Sequence, residues 1–319
     1  MLQMSWFLLV ASLLLVITSW ACYVIAFAKG SRAAKPVREV AYAGAGAPAI
    51  ESLSDDDSAD DYDEDVVDGP TPSQVMAKTT GGFAQYGTTL SRIACLTLLG
   101  SLITRALYTG HGPFANQYEF AVAFGWGMVA AYVYFEWRYH VRTMALIVLP
   151  ISSALLAYAM LVGDSPIPLV PALQNNLLLS LHVAVAIVAY GAFAVASAAA
   201  AITILRPWLG RFKLPKNEVL EEIAYRAVLI GFPLDTMVVI LGALWAEVAW
   251  GSYWSWDPKE TASLVTWLIY GAYLHARVVR GWRGKRAAWL LIAGFAAVVF
   301  TFFGNLFFGG LHSYSGMQK

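Results

Sequence analysis

Between Trp250 and Thr261 the chain reads WGSYWSWDPKET, and five of these twelve residues are aromatic or proline. Trp250, Trp254 and Trp256, with Tyr253, offer broad apolar ring faces edged by indole N–H donors. Gly251 permits a close turn. Pro258, followed by Lys259 and Glu260, has the pattern that opens a helix, and Asp257 occupies the preceding N-cap position. Two readings of Asp257 stand side by side: a structural cap, and a contact to whatever the aromatic surface holds. An interfacial aromatic belt also gathers tryptophan, but it scatters its rings around helix ends and does not concentrate them in one loop. The segment reads as a shelf for a large, planar, apolar ligand.

Porphyrin is such a ligand, and its iron needs axial donors. The chain has five histidines. His182 lies in LLLSLHVAVAIVAY and His312 in FFGGLHSYSG, so both can approach the shelf, from opposite flanks. A lone histidine in an apolar run is ordinarily a packed residue, yet two of them bracketing an aromatic shelf point to ligation. His275 falls 15 residues after Glu260, roughly 22 Å along a helix, with no histidine at matching depth. A haem held there would take its second ligand from another subunit. His140, in WRYHVR, reads as an interfacial loop residue and His111, in YTGHGPF, as an exposed one. Cys22 and Cys95 lie in apolar runs without a C-x-x-C, which argues against thioredoxin chemistry, a zinc site or covalent haem attachment on this chain.

These residues need elements to hold them, and composition says which. Of 319 residues, 59% are hydrophobic and 13% charged, with a mean hydropathy of +0.59. That much apolar surface calls for lipid as solvent, and helices are the expected spanning element. Eight apolar runs are long enough to span, near 5–28, 87–108, 117–137, 142–162, 178–205, 226–248, 261–280 and 286–308. The first lacks a basic flank and is too long for a signal peptide's core, so it reads as a retained helix. The expected fold is therefore an all-α polytopic membrane protein, one unit over 1–319. Loops 29–86, 138–142, 206–226 and 277–286 hold 17 of the 21 basic residues. The positive-inside rule puts these loops in the cytoplasm, with both termini and the 249–261 loop on the outer face. Loop 30–86 carries ten of the 21 acidic residues between Glu51 and Asp68, and the acidic insertion at about 50–70 reads as disordered.

Other charges fall near or within spans. Glu247 and Glu119 sit where the outer interface would hydrate them. Asp235 lies deeper; pairing with Arg226 or Arg92, or marking a polar path, are its open readings.

WGSYWSWDPKET resembles the WWD signature of the haem-handling membrane proteins of cytochrome c biogenesis. GALWAEVAWGSYWSWDPKET, LIYGAYLH ending at His275, NLFFGGLHSY containing His312 and PFANQYEF at Pro113–Phe120 resemble the CcsA family, also called ResC and in some lineages CcsB, of System II. The resemblance covers nearly the whole chain, and the acidic insertion departs from it. It implies that His182 and His312 hold haem b at an external site with Trp250, Gly251, Trp254, Trp256, Asp257 and Pro258 as its platform, and that His275 belongs to an inner site. It further implies a ResB-like membrane partner, apocytochrome c as acceptor of haem at C-x-x-C-H, thioredoxin-like thiol reductants, a bacterial cell membrane location and no nucleic-acid partner. A CcmC-like haem exporter that loads a chaperone, and a membrane cytochrome b electron carrier, are the competing readings.

Overall fold

The computed structural model describes residues 1–30, 82–166, 173–174, 176–209, 214–304 and 307–312. The acidic insertion lies outside these residues. Among them are eight helices: α1 (Leu2–Gly30), α2 (Phe83–Thr109), α3 (Gln117–Tyr139), α4 (Ala145–Val162), α5 (Asn176–Leu205), α6 (Asn217–Trp250), α7 (Pro258–Val278) and α8 (Gly284–Phe303). Six of them, all but α3 and α7, are long and apolar enough to cross a membrane. The chain is an all-α polytopic membrane protein.

α3 and α7 fall short of the other six in composition. α3 carries Glu119, Glu136 and Arg138, and α7 carries Lys259, Glu260, His275 and Arg277. Two boundaries differ from the hydropathy reading. α6 begins at Asn217, because its charged first turns (Glu218, Glu221, Glu222) are helical though not apolar. α8 ends at Phe303, ahead of the glycine-containing stretch that leads to His312.

Local signals set the ends. Asn116 caps α3 by accepting the Glu119 N–H, while Gly110 and Gly251 stop α2 and α6 in left-handed conformations that glycine adopts without penalty. α5 is the centre of the bundle, packed against α3, α4, α6 and α8. Its run from Ala192 to Ala200 is mostly alanine and wholly buried, so neighbouring backbones come close. At the α3 crossing, a Cβ on Gly191 would lie 2.5 Å from the Gly127 carbonyl oxygen.

Buried charges tie the periphery to this core. Arg105 and Glu119 are 2% and 1% exposed and pair at 2.8 Å, with Arg105 also donating to the Asp164 carbonyl and Glu119 accepting the Ala115 N–H. The expectation that water hydrates Glu119 is thus wrong: the helix α2–α3 turn folds Arg105 onto it. Glu136 accepts from the Tyr23 and Thr88 hydroxyls and pairs with Arg142 at 3.1 Å, linking α1, α2 and α3.

Removing one member of a buried pair strands the other charge. Arg105→Met should destabilise the protein by about 3 kcal/mol, read as thermal unfolding in detergent, and adding Glu119→Leu should recover most of that loss. A single variant as stable as the wild type would contradict the pairing.

Candidate haem-binding site

α3, α5, α6, α7 and α8 converge with the 251–257 loop and the 307–312 segment around a cleft of about 890 Å³, its solvent-open part included. Helical periodicity supplies the walls. On α5, His182, Ala186 and Tyr190 recur every fourth residue; on α6, Val238, Gly242 and Trp245 do much the same; α3 adds Phe120 and Phe124. The tryptophan loop contributes Tyr253 and Trp254, and α7 contributes Lys259 and Glu260 at its first turn.

His182 and His312 both line this cleft. His182 Nδ1 lies 3.0 Å from the Val238 carbonyl oxygen, and His312 Nδ1 lies 2.8 Å from Asp257 Oδ1. Both partners are acceptors, so each ring donates from Nδ1 and keeps its lone pair on Nε2. Space for the His182 ring depends on Gly242, where a Cβ would come within 2.9 Å of the imidazole. The His312 ring packs edge-on against Trp250, at 4.7 Å between centroids, with Trp245 behind at 5.7 Å.

Asp257 serves two partners at once. It is the N-cap of α7, accepting the Lys259 N–H at 2.9 Å, within a capping box completed by Glu260. Its carboxylate also fixes His312. Burial pushes the Asp257 carboxyl up, but the hydrogen bonds from His312 and from the Lys259 N–H outweigh it and hold the group down at about 2. Burial in turn holds the His312 imidazole below its ordinary value against the pull of Asp257, so this contact joins a carboxylate to a neutral ring. Gly310 makes the approach possible, since a Cβ there would collide with the Asp257 carboxylate. Glu260 gathers the rest of the loop, accepting the backbone N–H groups of Ser255 and Asp257 at 2.8 and 3.2 Å.

The shelf residues divide. Trp254 faces the cleft, while Trp250 stands behind His312. Trp256 is 70% exposed, in a left-handed backbone conformation that is unusual for a bulky residue, with its ring edge-on to Trp254. Gly251 turns the chain out of α6, and Pro258 begins α7. His275 is exposed on α7 and does not line the cleft. Asp235 pairs with neither of its expected partners; Arg226 is engaged by Glu222.

Several cleft residues carry no individual signal in the sequence. Lys259 places its ammonium 5.3 Å from the centre of the Phe120 ring, and Gly242, Trp245, Phe120, Phe124 and Tyr190 complete the walls. The four-residue spacing from His182 on α5 was the available signal.

Two imidazoles with Nε2 lone pairs, an apolar aromatic wall and one ammonium suit a planar, iron-bearing dicarboxylate. Among the described residues no group of three or more His, Cys, Asp or Glu side chains gathers to hold a bare metal ion.

Asp257→Ala should lower stability by about 1 kcal/mol through loss of the cap, with Asp257→Asn retaining most of it in the same unfolding measurement. Equal stability of the alanine variant and wild type would remove the capping role.

Residues 114–312, which contain all of these positions, match the family model described as cytochrome c assembly protein. The cytochrome c biogenesis protein CcsA of Guillardia theta is 36% identical over 261 residues, covering 73% of this chain and 86% of that protein. Those of Gloeobacter violaceus, 34% identical over 296 residues, and Prochlorococcus marinus strain MIT 9312, 35% over 257, cover 73% and 70% of this chain and 87% and 83% of their own lengths. The chain therefore belongs to the cytochrome c assembly protein family, as a homologue of the CcsA proteins of cytochrome c biogenesis.

Proposed function

We propose that the chain binds haem b as cargo, carries it to the outer face of the membrane and presents it there for thioether attachment to the C-x-x-C-H of apocytochrome c, as part of a holocytochrome c synthase. The observation that carries this reading is the pair of histidines in one cleft, each with Nδ1 against an acceptor oxygen, which assigns the ligating lone pair to Nε2. Such outer-shell anchors fix the ring and raise its strength as a ligand.

In this reading His182 and His312 hold the iron from the two sides. Phe120, Phe124, Trp245 and Trp254 cover the macrocycle and exclude water, and Lys259 neutralises a propionate. Trp256 and Tyr253, exposed at the mouth, leave an edge open to the incoming thiols. The haem supplies its own reactive vinyl groups; the protein supplies binding and orientation.

His275 belongs to a second, inner site. Its exposure on α7, away from the cleft, suits half a site completed by a ResB-like subunit. The chain carries no C-x-x-C pair, so thioredoxin-like proteins would keep the acceptor thiols reduced. The basic-loop asymmetry supports a cell-membrane topology with both termini outside.

His182→Gly or His312→Gly should abolish the bound-haem spectrum of the purified protein, and added imidazole should restore it. Asp257→Ala should bind haem about 10–100-fold more weakly, as loss of an outer-shell partner does. An unaltered spectrum in the His182→Gly/His312→Gly double variant would falsify the assignment.

A further inference from the structure

Next to the cleft lies a second cavity, of about 740 Å³ with its open part included, between α3, α4, α5 and α8. Phe124, Tyr190 and Phe302 line both spaces, so they form a wall with the cleft on one side and this cavity on the other. The wall is held by its own rings. Phe124 stacks on Tyr190 at 5.6 Å and stands edge-on to Phe302 at 5.5 Å.

Helical spacing turns one face of α4 and one face of α8 toward this cavity. Ile151, Ala154, Leu155 and Tyr158 share a face of α4, and Phe295, Val299 and Phe302 share one of α8. Two such apolar faces ordinarily close on each other, yet α4 and α8 are not packed together as their neighbours are. They meet at the Tyr158 and Phe303 rings, edge-on at 5.2 Å. Ala154 and Val299, one on each helix, are exposed, whereas Met128 on α3 and Gly191 on α5 are buried. The cavity therefore opens between α4 and α8. Both helices are long and apolar enough to cross a membrane, so the opening faces hydrocarbon.

The lining decides the ligand. Among the described residues the only polar side-chain groups facing the cavity are the phenols of Tyr158 and Tyr190, and no charged side chain lines it. Water would find too few partners there, and an empty space would forfeit the dispersion contacts of its walls. A porphyrin dicarboxylate would find neither the ammonium nor the imidazoles that the cleft offers. We propose that this cavity binds one acyl chain of a membrane phospholipid, which enters between α4 and α8 and lies against the wall of Phe124, Tyr190 and Phe302. Binding rests on dispersion and close fit, and no covalent bond changes. The chain backs the cleft from the lipid side, whatever the cleft carries.

Photolabelling of the full-length protein tests this directly, in phosphatidylcholine vesicles doped with phosphatidylcholine that carries a diazirine near the end of one acyl chain. Peptide mapping of the irradiated wild type should find label on buried Met128 as well as on exposed Leu14 of α1. Ala154→Trp and, separately, Val299→Trp fill the opening from opposite sides, and each should lower the Met128 label about 10-fold, as overpacking excludes a guest. The Leu14 label should stay unchanged, which marks an inserted, intact protein. A wild type labelled at Leu14 but not at Met128, a Met128 label that survives both substitutions, or its displacement by added haem would each overturn the proposal. The labelling itself requires no haem, so its failure is separate from failure of the haem-binding reading.

Discussion

The hydrogen bond between Asp257 and His312 joins parts of the chain 55 residues apart, and the cleft takes its shape from it. One carboxylate ends the tryptophan loop, starts α7 and orients the imidazole that follows α8. These tasks are compatible because they use the acid in the same ionised state. The backbone N–H at the helix start and the imidazole N–H are both donors, and both favour a carboxylate over a carboxylic acid. Pro258 and Glu260 complete the helix start, and Glu260 also shapes the loop before it by collecting the N–H groups of Ser255 and Asp257. The motif's aspartate, proline and glutamate are consequently structural and site-forming at the same time.

The opposite wall is built by different physics. His182 sits in the second turn of α5, ahead of the alanine-rich stretch where neighbouring backbones close together. A ring in that setting takes its anchor from a main-chain carbonyl, Val238, and its space from Gly242 on the same facing helix. One histidine is thus fixed by an ionised side chain in a loop and the other by the backbone of a neighbouring helix. The loop wall can shift with the loop, whereas the α5–α6 wall is tied to the packing of the whole bundle.

Much of this was legible in the sequence. Hydropathy placed all eight helices, and the concentration of aromatic residues singled out the loop. Asp257 was recognisable as a cap because Pro258 and Glu260 follow it at the required spacing. What stayed hidden depended on contacts between distant segments. Nothing local to His312 names Asp257 as its partner, and the glycines that make room, Gly242 and Gly310, resemble any other glycine in a helix or loop. Glu119 looked hydrated because a residue near the end of an apolar run ordinarily is; its burial follows from the way the α2–α3 turn returns the chain onto Arg105. The tryptophans looked equivalent as a row, yet in three dimensions Trp254 faces the cleft, Trp250 backs His312 and Trp256 points outward. His275 is exposed on α7 and is not among the residues that line the cleft.

The proposed function requires two imidazoles to meet one iron in this chain. Low-temperature electron paramagnetic resonance of the ferric haem bound to the chain purified without a partner subunit tests that most directly. Two neutral imidazoles give a six-coordinate, low-spin signal, and the account predicts that signal from a single haem per chain. A high-spin or five-coordinate spectrum, or a chain that binds no haem without its partner, would contradict it.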